Sequence, residues 1–171
     1  MPSSGRDGLS DGVVRLTPIH PDDAEAHLAG EDEELVRWLT GGLGSLSGTR
    51  VYFQYCQEEW AVDGPLRAFG IRVAGTLAGT LDLRFAGEHL GPGEVNVAYG
   101  LYPQWRGQGH ATRAVRLATR YAAAVGAKRA VIKVEPANRA SCAVAVRAGF
   151  EPGGTVVEHG EVLHLYFLDL A

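Results

Sequence analysis

The stretch Pro103-Gln-Trp-Arg-Gly-Gln-Gly-His-Ala-Thr112 decides how this chain folds, because it joins a strand-like run to a helix-like run. The alternating run 94–102 precedes it, and the alanine-rich run 111–125 follows it with helical spacing. Glycines at such a turn leave backbone N–H groups uncovered, and the first helical turn adds unpaired donors and the positive end of a dipole. The stretch therefore predicts a site for a phosphate or pyrophosphate, to which Arg106 adds a positive charge.

Two better-known phosphate-binding loops do not fit this stretch. No Lys-Ser or Lys-Thr pair follows the glycines, as a nucleotide P-loop requires, and the third glycine of a dinucleotide fingerprint is missing. A bare Gly-x-Gly turn is also explained by a tight loop that needs unusual backbone dihedral angles. The order Arg106-Gly-Gln-Gly-His-Ala111 between a strand and a helix is more specific than two glycines alone.

Two ordered motifs resemble the GNAT acetyltransferase superfamily. The run 106–111 resembles its acyl-coenzyme A pyrophosphate loop. The run Asn138-Arg-Ala-Ser-Cys-Ala-Val-Ala-Val-Arg-Ala-Gly-Phe150 resembles the Asn-x-x-Ser…Gly-Phe helix found downstream in the same superfamily. It looks most like the branch that contains ribosomal-protein N-terminal acetyltransferases. The resemblance covers residues 94–154 well, whereas the preceding residues match only in general layout.

The composition is that of one ordinary globular domain. The chain has 171 residues, of which 46% are hydrophobic and 21% charged, and its formal net charge is −4. This charge gives no bulk attraction to nucleic acid or an anionic membrane, and no apolar stretch is long enough to cross a bilayer. Cys56 and Cys142 suggest no disulfide framework, and the histidines form no metal-binding pattern. We therefore expect a cytoplasmic protein without a metal, a nucleic-acid partner or a membrane partner.

The periodicity of the hydrophobic residues predicts one α/β domain. In chain order it indicates a strand, helices, three strands, a helix, a strand, a helix and two strands. This order matches the superfamily layout, which is a single GNAT-like domain of the α+β kind with a central mixed sheet flanked by helices. We place the domain at residues 12–171. Residues 1–11 are rich in Ser, Gly and Asp, lack the hydrophobic core of a signal peptide, and are predicted to form a flexible tail.

The resemblance implies that acetyl-CoA is the cosubstrate, with its pyrophosphate on the loop 106–112. The backbone near Leu101 and Tyr102 would pair with the pantetheine arm. Asn138 would contact that arm, although capping of the following helix alone would also explain this residue. The residues predicted to bind the cofactor are Leu101, Tyr102, Arg106, Gly107, Gln108, Gly109, His110, Ala111, Thr112, Asn138 and Ser141.

Acyl transfer from a thioester to an amine needs a polarised carbonyl, a neutral amine and a thiolate that can leave. A backbone N–H near Tyr99 is the candidate for polarising the carbonyl. Many superfamily members carry a tyrosine where this chain has Ala145, so the resemblance leaves Ser141 as the acid that protonates the thiolate. A thiol with a pKa near ~8.5 could also leave without an acid.

Two carboxylates are candidates for the base that deprotonates the amine. Glu94 lies on the same strand face as Asn96, which stands where related enzymes often carry a glutamate, and Glu94 could act through a water molecule. A solvated acid at the end of a strand is the other explanation of Glu94. Asp82, on a strand that should neighbour this one, is the second candidate.

These residues together predict an acetyl-CoA-dependent N-acetyltransferase in which a primary amine attacks the thioester directly in a ternary complex. Cys142 could instead carry the acyl group, although a lone cysteine on a helix more often packs as a small apolar residue. The acceptor is either a small amine, which a deep acidic pocket would favour, or a protein N-terminus or lysine, which an open groove would favour. The acidic run 31–34 could attract a cation or be a solvated helix surface. A non-catalytic acyl-CoA sensor and an enzyme for a longer acyl-CoA are alternatives, and a homodimer is left open.

Overall fold

The structure is a computed structural model that describes residues 5–171. Within these residues the chain forms one sheet of eight strands together with five α-helices. The strands are β1 (Leu9–Ser10), β2 (Val14–Pro18), β3 (Leu66–Val73), β4 (Thr76–Arg84), β5 (Glu94–Leu101), β6 (Arg129–Val134), β7 (Glu151–Glu158) and β8 (Glu161–Asp169). The helices are α1 (Ala24–Gly30), α2 (Glu33–Leu35), α3 (Leu46–Ala61), α4 (His110–Ala124) and α5 (Arg139–Arg147). A π-helical turn, Val36–Thr40, continues α2.

The sheet is mixed, as the sequence predicts. Its strand order is β1-β2-β3-β4-β5-β6-β8-β7. Strands β5 and β6 run parallel, because the crossover through α4 returns the chain to the same end of the sheet, and the other neighbouring pairs run antiparallel. The predicted fold class, a single GNAT-like α/β domain with a mixed sheet flanked by helices, is confirmed.

Apolar side chains on both faces of the sheet hold the helices in place. Phe69 and Ile71 of β3 pack in the larger core, with the small buried residues of α4. Ala68, on the opposite face of the same strand, packs in a second core with residues of α1 and α3. Among residues 5–171, no helix is both long and apolar enough to cross a membrane.

The parallel strands β5 and β6 separate part of the way along their length. Their register runs only from Glu94 opposite Arg129 to Asn96 opposite Val131. Beyond this point β5 stays paired with β4 as far as Leu101, and β6 stays paired with β8 as far as Val134. The two strands therefore leave a gap between their facing edges, with unpaired backbone groups on each side.

Residues 5–11 lie against the domain, although the sequence predicts a flexible tail over residues 1–11. Leu9 and Ser10 pair with β2, and the Arg6 guanidinium donates to the Trp60 carbonyl oxygen and to Asp63 Oδ1, at 3.1 Å in each case. Composition alone favoured a loose segment, but these backbone and side-chain hydrogen bonds have partners elsewhere in the chain. Residues 1–4 of the predicted tail lie outside the described residues.

Candidate active site

The turn between β5 and α4 presents a row of backbone N–H groups to open space. Gly107 and Gly109 have φ angles of 72° and 81°, in the left-handed region that glycine adopts readily, and Gly109 is the N-cap of α4. Within residues 5–171, the backbone N–H groups of residues 107–112 donate no hydrogen bond to the protein. A Cβ atom at either glycine would meet no atom within 4 Å. Free donors at a helix N-terminus are what the predicted phosphate site requires.

Side chains of this loop contribute less than its backbone. His110 and Thr112 are buried, and the His110 ring packs edge-on against Trp105 with 6.0 Å between ring centroids. The Gln108 amide donates to the carbonyl oxygen of Gln104 at 2.8 Å. These three residues are therefore placed to offer their main-chain N–H groups to an anion, while their side chains serve the local fold.

Arg106 forms ion pairs that the sequence did not predict. Its two terminal nitrogens make a two-pronged ion pair with Asp32 at 2.7 and 2.9 Å, and Nη1 also lies 2.8 Å from Glu34 Oε2. Hydrogen bonds from Arg106 lower the pKa of Asp32 to about 2. Two carboxylates outweigh one guanidinium, so Arg106 adds no net positive charge for a phosphate. It ties α2 to the loop instead, and Nε holds the end of β5 through the Leu101 carbonyl oxygen at 3.0 Å.

Replacing Arg106 with alanine should therefore lower the free energy of unfolding by about 1–2 kcal/mol, because a two-pronged pair and a buried carbonyl lose their partner. Urea denaturation followed by circular dichroism measures this change. The control is Arg120→Ala, an exposed arginine on α4, which should leave stability within about 0.5 kcal/mol of the parent. Equal midpoints for the two variants would contradict the tying role of Arg106.

The end of β5 offers fewer free groups than the sequence suggested. Tyr102 donates its backbone N–H to the Ala78 carbonyl oxygen, accepts from the Trp105 N–H, and buries its ring with the hydroxyl 2.8 Å from His27 Nδ1. The backbone N–H and carbonyl groups of Tyr102 thus already have protein partners, which does not favour the predicted pairing with a cofactor arm. Because N–H directions alternate along an antiparallel ladder, the N–H groups of Tyr99 and Leu101 point away from β4 and into the gap.

The gap joins two compartments. The smaller, which we call the loop-side pocket, has a volume of about 160 Å³ and is bounded by Gly100, Gly107 and Ala111. The larger, which we call the wide cleft, has a volume of about 620 Å³ and is bounded by Asn96, Ala98 and residues of the β7–β8 hairpin. The residues that line both are Trp38, Leu39, Tyr99, Asn138 and Ser141. A group that enters from the loop side therefore meets the wide cleft beside Tyr99 and Ser141.

Tyr99 and Ser141 form a hydrogen-bonded pair at this junction. The Tyr99 hydroxyl lies 2.9 Å from Ser141 Oγ and 3.1 Å from the Ser141 carbonyl oxygen, and burial raises the pKa of Tyr99 to about 12. Ser141 is itself fixed because its N–H donates to Asn138 Oδ1, which caps α5, at 3.2 Å. Ala145, at the position where the resemblance implies a tyrosine in many superfamily members, is fully buried.

The phenol of Tyr99 is a candidate site group that sequence reasoning missed, since only its backbone was considered. Its alternation with Val95 and Val97 placed it on a buried strand face, and the apolar character of that face hid the polar tip. The signal that could have found it was the missing tyrosine of α5. The Tyr99 hydroxyl reaches Ser141 on α5 from the facing strand β5.

Glu94 is not brought to the gap. Its Oε2 accepts the Gly91 N–H at 2.9 Å, and its Oε1 lies 3.6 Å from the guanidinium of Arg129. It stands at the start of β5, five residues before Tyr99, and a strand rises about 3.3 Å per residue, so some 16 Å separates the two positions. Glu94 is therefore a paired acid at the closed end of the strands, and this position does not favour its predicted role as a base.

Asp82 stands closer to Tyr99 along the sheet than Glu94 does, although it lines neither the loop-side pocket nor the wide cleft. Asp82 pairs with Ala98 of β5, the residue that precedes Tyr99. The Asp82 side chain is 23% exposed. Its nearest cationic neighbour is Arg84, with Nη2 3.5 Å from Oδ2, and loss of water raises the pKa of Asp82 to about 6 despite that neighbour. A carboxylate with this pKa can accept a proton near neutral pH.

The sequence also identifies the family directly. Residues 14–151 match the Acetyltransferase (GNAT) domain family, so the chain belongs to the GNAT acetyltransferases. No curated protein matches the sequence at a significant level.

Several solved acetyltransferases share the fold over most of their length. RimJ from Mycobacterium smegmatis, in complex with a CoA disulfide, has a TM-score of 0.85 at 22% identity, covering 99% of this chain and 90% of its own. RimL, the ribosomal L7/L12 α-N-protein acetyltransferase in complex with CoA, has a TM-score of 0.81 at 20% identity, covering 95% and 98%. The aminoglycoside acetyltransferase AAC(6')-Ib, in complex with CoA, has a TM-score of 0.78 at 18% identity, covering 91% and 94%. At these identities the likeness shows a common fold.

Proposed function

We propose that this protein is an N-acetyltransferase that moves an acetyl group from acetyl-CoA to a primary amine. The observation that carries the proposal is the gap between β5 and β6. It aligns an anion-binding loop, an unpaired strand edge and the hydroxyl pair of Tyr99 and Ser141 along one path. The similar RimJ, RimL and AAC(6')-Ib structures each contain CoA, which supports the same cosubstrate here.

The cofactor would bind mainly through backbone groups. The free N–H groups of residues 107–112 take the pyrophosphate, and the N–H of Leu101 pairs with the pantetheine arm in the gap. Asn138 borders the gap and caps α5. It would therefore contact the pantetheine arm and also hold Ser141 in position. The thioester then lies at the junction of the loop-side pocket and the wide cleft.

The amine would attack the thioester carbonyl directly. The N–H of Tyr99 polarises the carbonyl oxygen, and Asp82 receives the proton of the amine. As the tetrahedral intermediate collapses, the C–S bond breaks, and Ser141 donates a proton to the departing thiolate. Ser141 then regains a proton from solvent, relayed through the Tyr99 hydroxyl 2.9 Å from Ser141 Oγ, so that both hydroxyl groups end the cycle protonated. We place this reaction in the reducing cytoplasm, which suits the free thiols of Cys56 and Cys142.

Thiol release from acetyl-CoA, followed over a panel of amines and N-terminal peptides, tests the proposed function. We expect amine-dependent release with intersecting double-reciprocal plots, because both substrates are bound before reaction. Cys142→Ala should keep at least half of the activity, since Cys142 lines neither compartment. Binding of CoA without release by any amine would favour the non-catalytic sensor. An acetylated Cys142 that passes its acetyl group to an amine would overturn the direct attack.

A further inference from the structure

A third cavity lies beside the wide cleft, and Asp82 is the one lining group of it that the mechanism above uses. It has a volume of about 390 Å³, is covered by α1 and α3, and its charged or titratable lining groups are His27, Glu31, Tyr52, Asp82 and Arg84. We call it the acidic side cavity. It shares Leu39 and Arg84 with the wide cleft, so the two spaces meet along these side chains.

The carboxylate of Glu31 in this cavity is buried, and within residues 5–171 only one of its two oxygens accepts a hydrogen bond. Its side chain is 5% exposed, and Oε2 accepts the Gly44 N–H at 3.1 Å. His27 Nε2 lies 3.6 Å from Oε1, which is too long for a hydrogen bond. Within the described residues, Oε1 therefore has no hydrogen-bond donor, although it borders a cavity large enough to hold one.

The histidine beside Glu31 does not neutralise it. Burial lowers the pKa of His27, which outweighs the opposing effect of Glu31, and the other ring nitrogen lies 2.8 Å from the Tyr102 hydroxyl. His27 is thus uncharged near neutral pH. Glu31 is also the C-cap of α1, where unpaired carbonyl groups already make the environment negative.

The charges that face the cavity do not balance. Two carboxylates, Glu31 and Asp82, face one guanidinium, that of Arg84, whose Nη2 lies 3.5 Å from Asp82 Oδ2 and 3.4 Å from the Tyr52 hydroxyl. One negative charge remains in excess next to Glu31. A buried charge without a counterion is unfavourable, and a bound cation with N–H donors would remove this cost. The lining also supplies hydroxyl groups as further acceptors, from Ser45, Thr49 and Thr80.

We propose that the acidic side cavity binds a second cationic group of the acceptor, and that the acceptor is a small diamine or polyamine. This inference rests on the proposed function. One nitrogen of the acceptor would lie in the wide cleft near Ala98, the neighbour of Asp82 across the two strands, and accept the acetyl group. The other would lie in the side cavity as an ammonium ion that donates to Glu31 Oε1.

The experiment compares 1,4-diaminobutane and longer α,ω-diamines with pentylamine, which has a similar length and a single charge. Calorimetry on the enzyme–CoA complex should show diamine binding at least tenfold tighter than pentylamine binding, since a hydrogen bond to a charged group is worth that much. The same ratio should appear in kcat/KM with acetyl-CoA. Glu31→Gln, which keeps the acceptor for the Gly44 N–H, should lower both ratios by about tenfold to hundredfold.

Glu33→Gln is the matched control, because Glu33 is exposed on the neighbouring helix and should leave both ratios unchanged. A second variant, Thr49→Arg, places a cation at the cavity and should also abolish the preference for diamines over pentylamine. The test therefore does not depend on Glu31 alone. Melting curves show whether each variant is folded. Equal binding of diamines and pentylamine, or a preference that survives both variants, would overturn the inference while leaving acetyl transfer intact. Glu31-dependent diamine binding without acetyl transfer would instead support the cavity and reject the proposed function.

Discussion

Gly109→Val should weaken coenzyme A binding by at least about a hundredfold. The valine side chain would project from the N-cap of α4 into the space above the free N–H groups, where no protein atom lies within 4 Å at present. A phosphate held there by two charge-assisted hydrogen bonds would lose about 1.5–3 kcal/mol for each. Isothermal calorimetry with coenzyme A measures the loss.

The control for this variant is Gly126→Val at the other end of α4. Gly126 also has a positive φ, 102°, and open space around its Cβ position, so valine strains the backbone at both sites. Gly126→Val should lower the melting temperature and keep the coenzyme A affinity. Unchanged affinity in folded Gly109→Val would remove the cofactor site from this loop.

Asp82→Asn should lower kcat by about 10²–10⁴-fold, the usual range for loss of a general base. An amide keeps the shape of the side chain and cannot accept the proton of an attacking ammonium ion. With the parent enzyme, kcat should rise as the pH increases through about 6, where the Asp82 carboxyl loses its proton, and this inflection should be absent from the variant. The measurement is a pH–rate profile with saturating acetyl-CoA.

The same variant should be more stable than the parent at pH 8. Folding raises the pKa of Asp82 from 3.8 to about 6, so the fold favours the protonated carboxyl. Protonation of Asp82 therefore contributes to the free energy of unfolding, by about 3 kcal/mol at most. This contribution is fully present below pH 4 and is lost as the pH rises through 6. The amide of Asp82→Asn carries no charge at any pH, so urea denaturation should show the advantage of the variant at pH 8 and little difference at pH 4.

Glu94→Gln serves as the control for both measurements. Its amide oxygen can still accept the Gly91 N–H, and its position at the closed end of β5 and β6 keeps it out of the reaction. We expect less than a twofold change in kcat. A large loss in Glu94→Gln together with normal turnover in Asp82→Asn would reverse the two assignments.

The sequence by itself determined the fold and the loop. Three local patterns in the sequence appear in the structure at the elements predicted for them. They are the alternation along residues 94–101, the glycines at 107 and 109, and the small buried residues of α4, and each involves residues only a few positions apart. Backbone donors at a strand-to-helix turn follow from that local order, because glycine dihedral angles and helix termini need no distant partner.

The tertiary structure decided how the polar side chains are used. Arg106 meets Asp32 across 74 positions, Tyr99 meets Ser141 across 42, and the tail residue Arg6 meets Trp60 across 54. Glu94 lies at the closed end of the strands because β5 separates from β6 only after Asn96, whereas Asp82 pairs with Ala98, beyond that point. Charge neutralisation, burial and the resulting pKa shifts depend on which groups the fold brings within a few ångströms of each other. The separation of two residues along the chain does not predict that distance.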